Sequence, residues 1–248
     1  MRSIDLNCDV GEISAELDIQ LLPMISSCNV SCGAHAGDQR LILLTVTEAL
    51  RLGVAVGAHP SYPDREHFGR RSLSMPIAEL QASLVEQIAG LQSIVVAQQG
   101  ELRHIKPHGA LYHDLANQAT LADAAVQVLH NYFPACLVYG MAGSQLERAC
   151  AAYGLTFIPE GFADRVYADG CQLVPRTESG ATIECAAQFA EHFTRLLNGH
   201  VRDAVGRQHP VTIKTLCLHS DGPQVLPFAK LANAIMREQH VVLAPPAA

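Results

Sequence analysis

The chain has 248 residues, 49% of them hydrophobic, and carries 24 acidic side chains against 17 basic ones. That length suits one large domain with ample apolar material for a core, and a single domain over 1–248 is expected. The formal charge of -7 excludes a nucleic-acid binder that works through a basic face.

The first apolar, β-branched run, Ser3 to Val10, predicts a strand. Further strands are expected at Ser26 to Gly33, Val54 to His59, Leu102 to Pro107, Ala135 to Gly140, Leu155 to Glu160 and Thr212 to His219. A last short run, His240 to Leu243, is the candidate to close the set. Between them the spacing turns helical at Asp38 to Leu52, Ile77 to Gln99, Leu121 to Tyr132, Ser144 to Tyr153, Thr182 to Asn198 and Gln224 to Gln239. Pro76 and Pro223 stand where the first turn of a helix favours proline. Gly53, Gly100 and Gly154 stand where a left-handed C-terminal residue is wanted.

Strand alternating with helix calls for parallel strands joined by crossover helices. Seven or eight such units, without a dinucleotide fingerprint, favour a closed β/α barrel over an open sheet. No apolar run approaches the roughly 18 residues of a membrane helix. Asp5 also comes too early for a signal peptide's apolar segment, so a cytoplasmic protein without a membrane partner is expected. Eight cysteines form no CxxC pair, and most read as small buried hydrophobes in a reducing compartment.

Alternate residues of a strand share a face. Asp5, Asn7 and Asp9 therefore fall on one side of the first strand, and Ile4, Leu6, Cys8 and Val10 on the other. The same parity groups Asn29, Ser31 and His35; His104, Lys106 and His108; Glu160 and Asp164; and His219 and Asp221. In a barrel the apolar parity faces the helices, so the polar one must face the lumen. Most of these groups lie at the C-terminal ends of their runs, on the rim where such barrels carry active sites. Burying so many ionisable groups costs several kcal/mol each unless they are paired or ligated.

Six segments carry the most specific pattern: DLNCDVGE (5–12), NVSCGAHAGD (29–38), GAHPSYPDREHFGRR (57–71), IKPHGALY (105–112), GFADRVYADGCQLVPR (161–176) and TLCLHSDGP (215–223). Together, and in this order, they resemble the LamB/YcsF family, whose members include the A component of bacterial ATP-dependent 5-oxoprolinase. One departure is that the family's last motif usually reads His-Gly-Asp, where this chain has His219, Ser220 and Asp221. The resemblance implies a seven-stranded β/α barrel of the glycoside hydrolase/deacetylase-like kind. It also implies cleavage of 5-oxoproline to L-glutamate with hydrolysis of ATP to ADP and phosphate, alongside partner subunits B and C.

Opening a lactam in this way needs a carboxylate anchor, cationic groups for phosphate, and an acid/base pair. Asp9 and Glu12 are the acid/base candidates, with His35, His59, His108 and His219 as proton carriers or ligands. Arg165 and Arg176 are the preferred anchors, Arg70 and Arg71 further ones, because guanidinium grips carboxylate or phosphate bidentately. Lys106 reads as a clamp on an oxyanion or phosphate, or alternatively as a salt bridge to Asp9. Asn7, Asn29, Asp38, Asp164 and Asp221 complete the substrate-binding set.

Asp9, His35 and His59 also offer a carboxylate and two imidazoles that suit Zn²⁺ or a similar ion, while ATP would arrive with Mg²⁺. No GxxxxGK[ST] or GxGxxG loop is present, so ATP binds either at the rim by another route or on another subunit. The alternatives are a metal-dependent deacetylase of amides or carbohydrates and a non-catalytic subunit that captures substrate.

Overall fold

In a computed structural model that describes residues 2–169 and 172–247, the strand expected at the N-terminus is β1, Ser3–Val10. Six more strands complete a ring: β2 (Ser27–Ser31), β3 (Ala55–His59), β4 (Leu102–Ile105), β5 (Leu137–Met141), β6 (Phe157–Phe162) and β9 (Thr215–Leu218). Each is parallel to its neighbour, and β9 returns to β1 with Asp5 opposite Thr215 and Asn7 opposite Cys217. The closed parallel ring of seven strands, wrapped by helices, is a (β/α)7 barrel.

The last run does not close the ring. β10, Val242–Leu243, pairs with Ser3 and Ile4, ahead of the residues of β1 that β9 occupies. It extends one end of the sheet rather than forming an eighth stave.

The helices are α1 (Ala15–Leu21), α2 (Gln39–Leu52), α3 (Ile77–Ala97), α4 (Gly109–Asn117), α5 (Ala119–Tyr132), α6 (Gln145–Tyr153), α7 (Ala186–Leu197) and α8 (Val225–Glu238). Asp38 caps α2 by accepting from Leu41 N, and Ser144 caps α6 by accepting from Glu147 N. Gly53 and Gly154 end helices with a left-handed φ of 72°. After α3 that conformation falls on Gln99 instead, with φ 62°, and Gly100 follows it. Pro76 precedes α3 as its cap residue rather than opening the first turn.

Strand and helix do not alternate throughout. The β4–β5 crossover holds two helices, and a small antiparallel hairpin, β7 (His200–Arg202) with β8 (Gln208–Pro210), interrupts the return to β9. α3 is 21 residues long and apolar enough by length and composition to cross a membrane. Here Leu80, Leu84, Ile88, Leu91 and Val95 are buried within the core cluster.

The apolar parity of the strands packs outward: Leu6, Cys8, Val10, Cys28, Val30, Val56 and Ala58 are buried in one continuous core with the helices. The lumen is filled by the polar parity. At its floor the hydroxyls of Ser26, Ser27, Tyr139 and Thr215 donate to the Asp5 carboxylate at 2.5–3.1 Å. Burial lifts the Asp5 pKa above its usual range despite these bonds. One layer up, Asn7 donates to Glu160 Oε1 and Thr215 Oγ1, while its own carbonyl accepts from Asn29 and from Lys106 Nζ. Asn29 donates onward to Asp9 and accepts from His104 Nε2. The barrel interior is thus a hydrogen-bonded polar column rather than stacked aliphatic layers, which is what makes burying it tolerable.

Candidate active site

The top of that column opens into a cavity of about 440 Å³ at the C-terminal ends of the strands. Asp9, Glu12, His59, Lys106, His108 and His219 all line it, contributed by β1, β3, β4, β9 and the residues just after them. Residues from opposite ends of the chain therefore meet one small volume because the ring closes.

Lys106 is buried at the base. Its Nζ lies 2.9 Å from Glu160 Oε1, 3.2 Å from Asp9 Oδ1 and 3.0 Å from Cys217 Sγ. Burial works against its charge, but Asp9, Cys217 and Glu160 outweigh it, and its pKa stands well above the ordinary lysine range. The salt bridge to Asp9 and the place in the cavity wall coexist. Burial alone would raise the Asp9 pKa, yet His59 and Lys106 hold it well below the usual carboxylate range, so Asp9 is a fixed anion.

The imidazoles have assigned roles. His59 Nδ1 donates to Lys106 O at 2.7 Å, and His108 Nε2 donates to Phe68 O at 2.9 Å. This turns His59 Nε2 and His108 Nδ1 toward each other at 2.9 Å. Burial, then His59 and His35, push the His108 pKa well below its usual value, whereas Asp9 more than offsets burial at His59 and raises it. Phe68 holds its carbonyl in place from a left-handed backbone with φ 55°, an uncommon conformation for an aromatic residue.

His35 lies behind this wall and does not line the cavity. Ser61 Oγ donates to Tyr62 O, so it accepts from His35 Nδ1 at 3.0 Å, which leaves His35 Nε2 to accept from Glu12 at 2.8 Å. Burial and His59 lower the His35 pKa to about 3, and burial with Asp9 raises the Glu12 pKa to about 8. A neutral carboxyl donating to a neutral imidazole satisfies both. His35 stacks on His108 with ring centroids 3.8 Å apart.

On the opposite wall, His219 Nδ1 donates to Asp164 Oδ1 at 2.9 Å and its backbone N–H donates to Asp164 Oδ2. Burial would raise the Asp164 pKa, but His219 lowers it below the usual range. Asp164 itself does not face the cavity; it fixes the ring whose Nε2 is left for it. At the mouth, Arg70 and Arg176 both reach Asp221 Oδ2, the latter at 2.9 Å, tying together the loops after β3, β6 and β9.

Other sequence candidates stand elsewhere. Asp38 is the exposed cap of α2 and lies outside this cavity. Asn7 and Asn29 are buried beneath it, as parts of the column that fixes Asp9 and Lys106. Arg165 touches the cavity, but its guanidinium is buried and donates to Ala181 O and Val174 O, holding the loop after β6. Arg71 is exposed and does not line the cavity.

Ser220 has no left-handed φ, so glycine's freedom is not needed at that position; its buried Oγ lacks a hydrogen-bond partner among the described residues. The seven described cysteines are free thiols, and Cys171 lies outside the described residues. Two members of the site, Cys217 and Phe68, are absent from the sequence candidates. Cys217 shares the parity of Thr215 and His219 and is legible by that rule; the carbonyl of Phe68 carries no sequence signal.

Among the described residues, Asp9, Glu12, His59 and His108 bring one potential ligand atom each to within 4.8 Å of one another. This is a possible metal-binding cluster of carboxylates and imidazoles. His35, a sequence candidate for such a set, is not in it and serves Glu12 instead.

Comparison with solved structures finds the crystal structure of the lactam utilization protein from Thermus thermophilus at 32% identity and a TM-score of 0.90. The match covers 98% of this chain and 99% of that one. A family 4 carbohydrate esterase from Streptomyces lividans is 12% identical with a TM-score of 0.51, covering 99% of this chain and 93% of its own. The catalytic domain of a peptidoglycan N-acetylglucosamine deacetylase from Eubacterium rectale is 11% identical with a TM-score of 0.54, covering 100% and 89%. At those identities the last two share the barrel fold alone. The model of the LamB/YcsF family matches residues 4–248, and this chain belongs to that family.

Proposed function

We propose that this chain is the lactam-opening subunit of an ATP-dependent 5-oxoprolinase, acting in the cytoplasm with partner subunits B and C. The observation that carries the reading is the meeting of Lys106, Asp9 and the His219–Asp164 pair around one 440 Å³ cavity. Family membership and the likeness to a lactam utilization protein support the substrate class.

The overall reaction converts 5-oxoproline, ATP and two waters to glutamate, ADP and phosphate. The γ-phosphoryl group passes to the lactam oxygen and ADP departs. Water then adds to the activated carbon and the ring C–N bond breaks toward nitrogen as the carbonyl re-forms, leaving an acyl phosphate, which a second water hydrolyses to the carboxylate and phosphate. His219 has its Nδ1 fixed by Asp164, so Nε2 accepts the proton of the attacking water and returns it to the departing nitrogen. Lys106 sits where negative charge develops on oxygen, and its ammonium is already balanced by Asp9 and Glu160, so no reorganisation is needed in the transition state. Arg176 and Arg70 at the mouth, which now each bring one nitrogen to Asp221 Oδ2, offer the substrate carboxylate or a phosphate a cationic partner.

The chain has no P-loop or dinucleotide glycine motif, which supports a partner subunit as the holder of ATP with its Mg²⁺. The test is glutamate and phosphate release from 5-oxoproline and ATP by this chain alone, by the partner subunits alone, and by all three together. Product from the complete set only is expected. Equal product from the partners without this chain would overturn the reading.

A further inference from the structure

We infer that Asp9, His59 and His108 form a binding site for one divalent first-row transition ion, with Glu12 on its remaining side. The argument is one of lone pairs. The outer nitrogens of both rings are engaged by main-chain carbonyls, His59 Nδ1 with Lys106 O and His108 Nε2 with Phe68 O. With both rings neutral the inward nitrogens present lone pairs to each other at 2.9 Å, an arrangement that is repulsive unless a proton or a metal cation lies between them. Metal-ligating histidines are held in this way, with the second nitrogen donating to a carbonyl or carboxylate that fixes tautomer and ring orientation.

The remaining distances fit. A tetrahedral ion with bonds near 2.0 Å separates its ligand atoms by about 3.3 Å. Asp9 Oδ1 lies 3.4 Å from His59 Nε2, and Glu12 Oε1 lies 3.9 Å from His59 Nε2 and 3.7 Å from His108 Nδ1. Two imidazoles and a carboxylate favour Zn²⁺, Co²⁺ or Mn²⁺ over Mg²⁺ or Ca²⁺, which prefer all-oxygen shells. Glu12 is bonded to His35 and faces the open side of the set, so it borders the ion without being required to hold it.

The three ligands are carried by three strands whose spacing the barrel fixes: Asp9 within β1, His59 at the end of β3, and His108 just past β4. Buried Lys106 on one side and the His35–Phe68 edge-on pair on the other leave the cavity as the way in. The assignment rests on donor geometry alone and is independent of the lactam reading.

The test uses the full chain, stripped with chelator and titrated with Co²⁺ while its visible absorption is followed, with bound zinc measured by elemental analysis of protein never exposed to chelator. One equivalent of ion per chain and intense bands of low-coordinate cobalt are expected for wild type and for Glu12→Gln. His108→Asn and Asp9→Asn, checked for folding by circular dichroism, are expected to bind at least tenfold more weakly. A wild-type spectrum that stays that of the hydrated ion, with no bound metal by elemental analysis, would overturn the site whatever the variants do. Undiminished cobalt binding in folded His108→Asn and Asp9→Asn would overturn it as well.

Discussion

Gly57 on β3 lies directly beneath the imidazole of His104 on β4: a Cβ at Gly57 would collide with Nε2, Cδ2 and Cε1 of that ring. His104 stacks on Tyr139 on its other side, at 4.1 Å between centroids, and donates to Asn29. The ring that steadies the column under Asp9 thus depends on an absent side chain. Gly57→Ala is expected to destabilise the fold by about 1–3 kcal/mol through overpacking. Urea denaturation measures it, and the double variant Gly57→Ala/His104→Ala should lose less than the sum of the two single changes.

Burial, with Lys106 second, lowers the His104 pKa to about 3, and burial also lowers that of His192, whose Nε2 donates to Phe162 O. Both rings are neutral in the folded chain but take up a proton near pH 6.5 when unfolded. For His104 the stability held above that pH is therefore lost as pH falls from about 6.5 toward 3, at roughly 1.4 kcal/mol per unit, and His192 acts in the same direction. Urea midpoints between pH 8 and pH 5 check the direction, and His104→Gln should flatten the decline.

Much of this architecture could be read from the chain. β1 spans the residues that its alternation indicates, because one face is wholly apolar and the other wholly polar, so a one-residue slip would invert every side chain. The same parity rule led from Asp9, Lys106 and His219 to one mouth. Asp38 is a candidate from its motif and not from parity, and its acidic side chain is explained by a helix start. α4 went unseen because Gly109, with φ 55°, looks like a loop residue; its missing Cβ is needed to pass Gly69 O. The β7–β8 hairpin has only three residues per strand, too few to show a period. The carbonyl of Phe68 is set by a backbone conformation that no pattern of side chains records.

Asp164 acts through His219. In Asp164→Asn one amide nitrogen must face either the backbone N–H or Nδ1–H of His219, and the ring loses its fixed tautomer. Turnover by the reconstituted complex is expected to fall about tenfold to a hundredfold or more, with KM for 5-oxoproline within about threefold. A merely structural role would leave the pH profile of kcat in place; this account requires it to shift.

The buried hydroxyl of Ser220 lacks a partner among the described residues. Removing an unsatisfied polar group is close to neutral or stabilising, so Ser220→Ala should change stability by no more than about 1 kcal/mol and in the favourable direction. Thermal unfolding measures it. A loss of several degrees in Tm would mean that the hydroxyl has a partner in the working enzyme.

The most direct test of the site is the Lys106→Ala exchange, assayed as 5-oxoproline-dependent glutamate formation by the complex with its partner subunits. The account predicts a fall of about a hundredfold or more, the scale of losing a preorganised charge at a developing oxyanion, with the chain still folded and still assembled. Glutamate formation near the wild-type rate in a folded, assembled Lys106→Ala complex would contradict it.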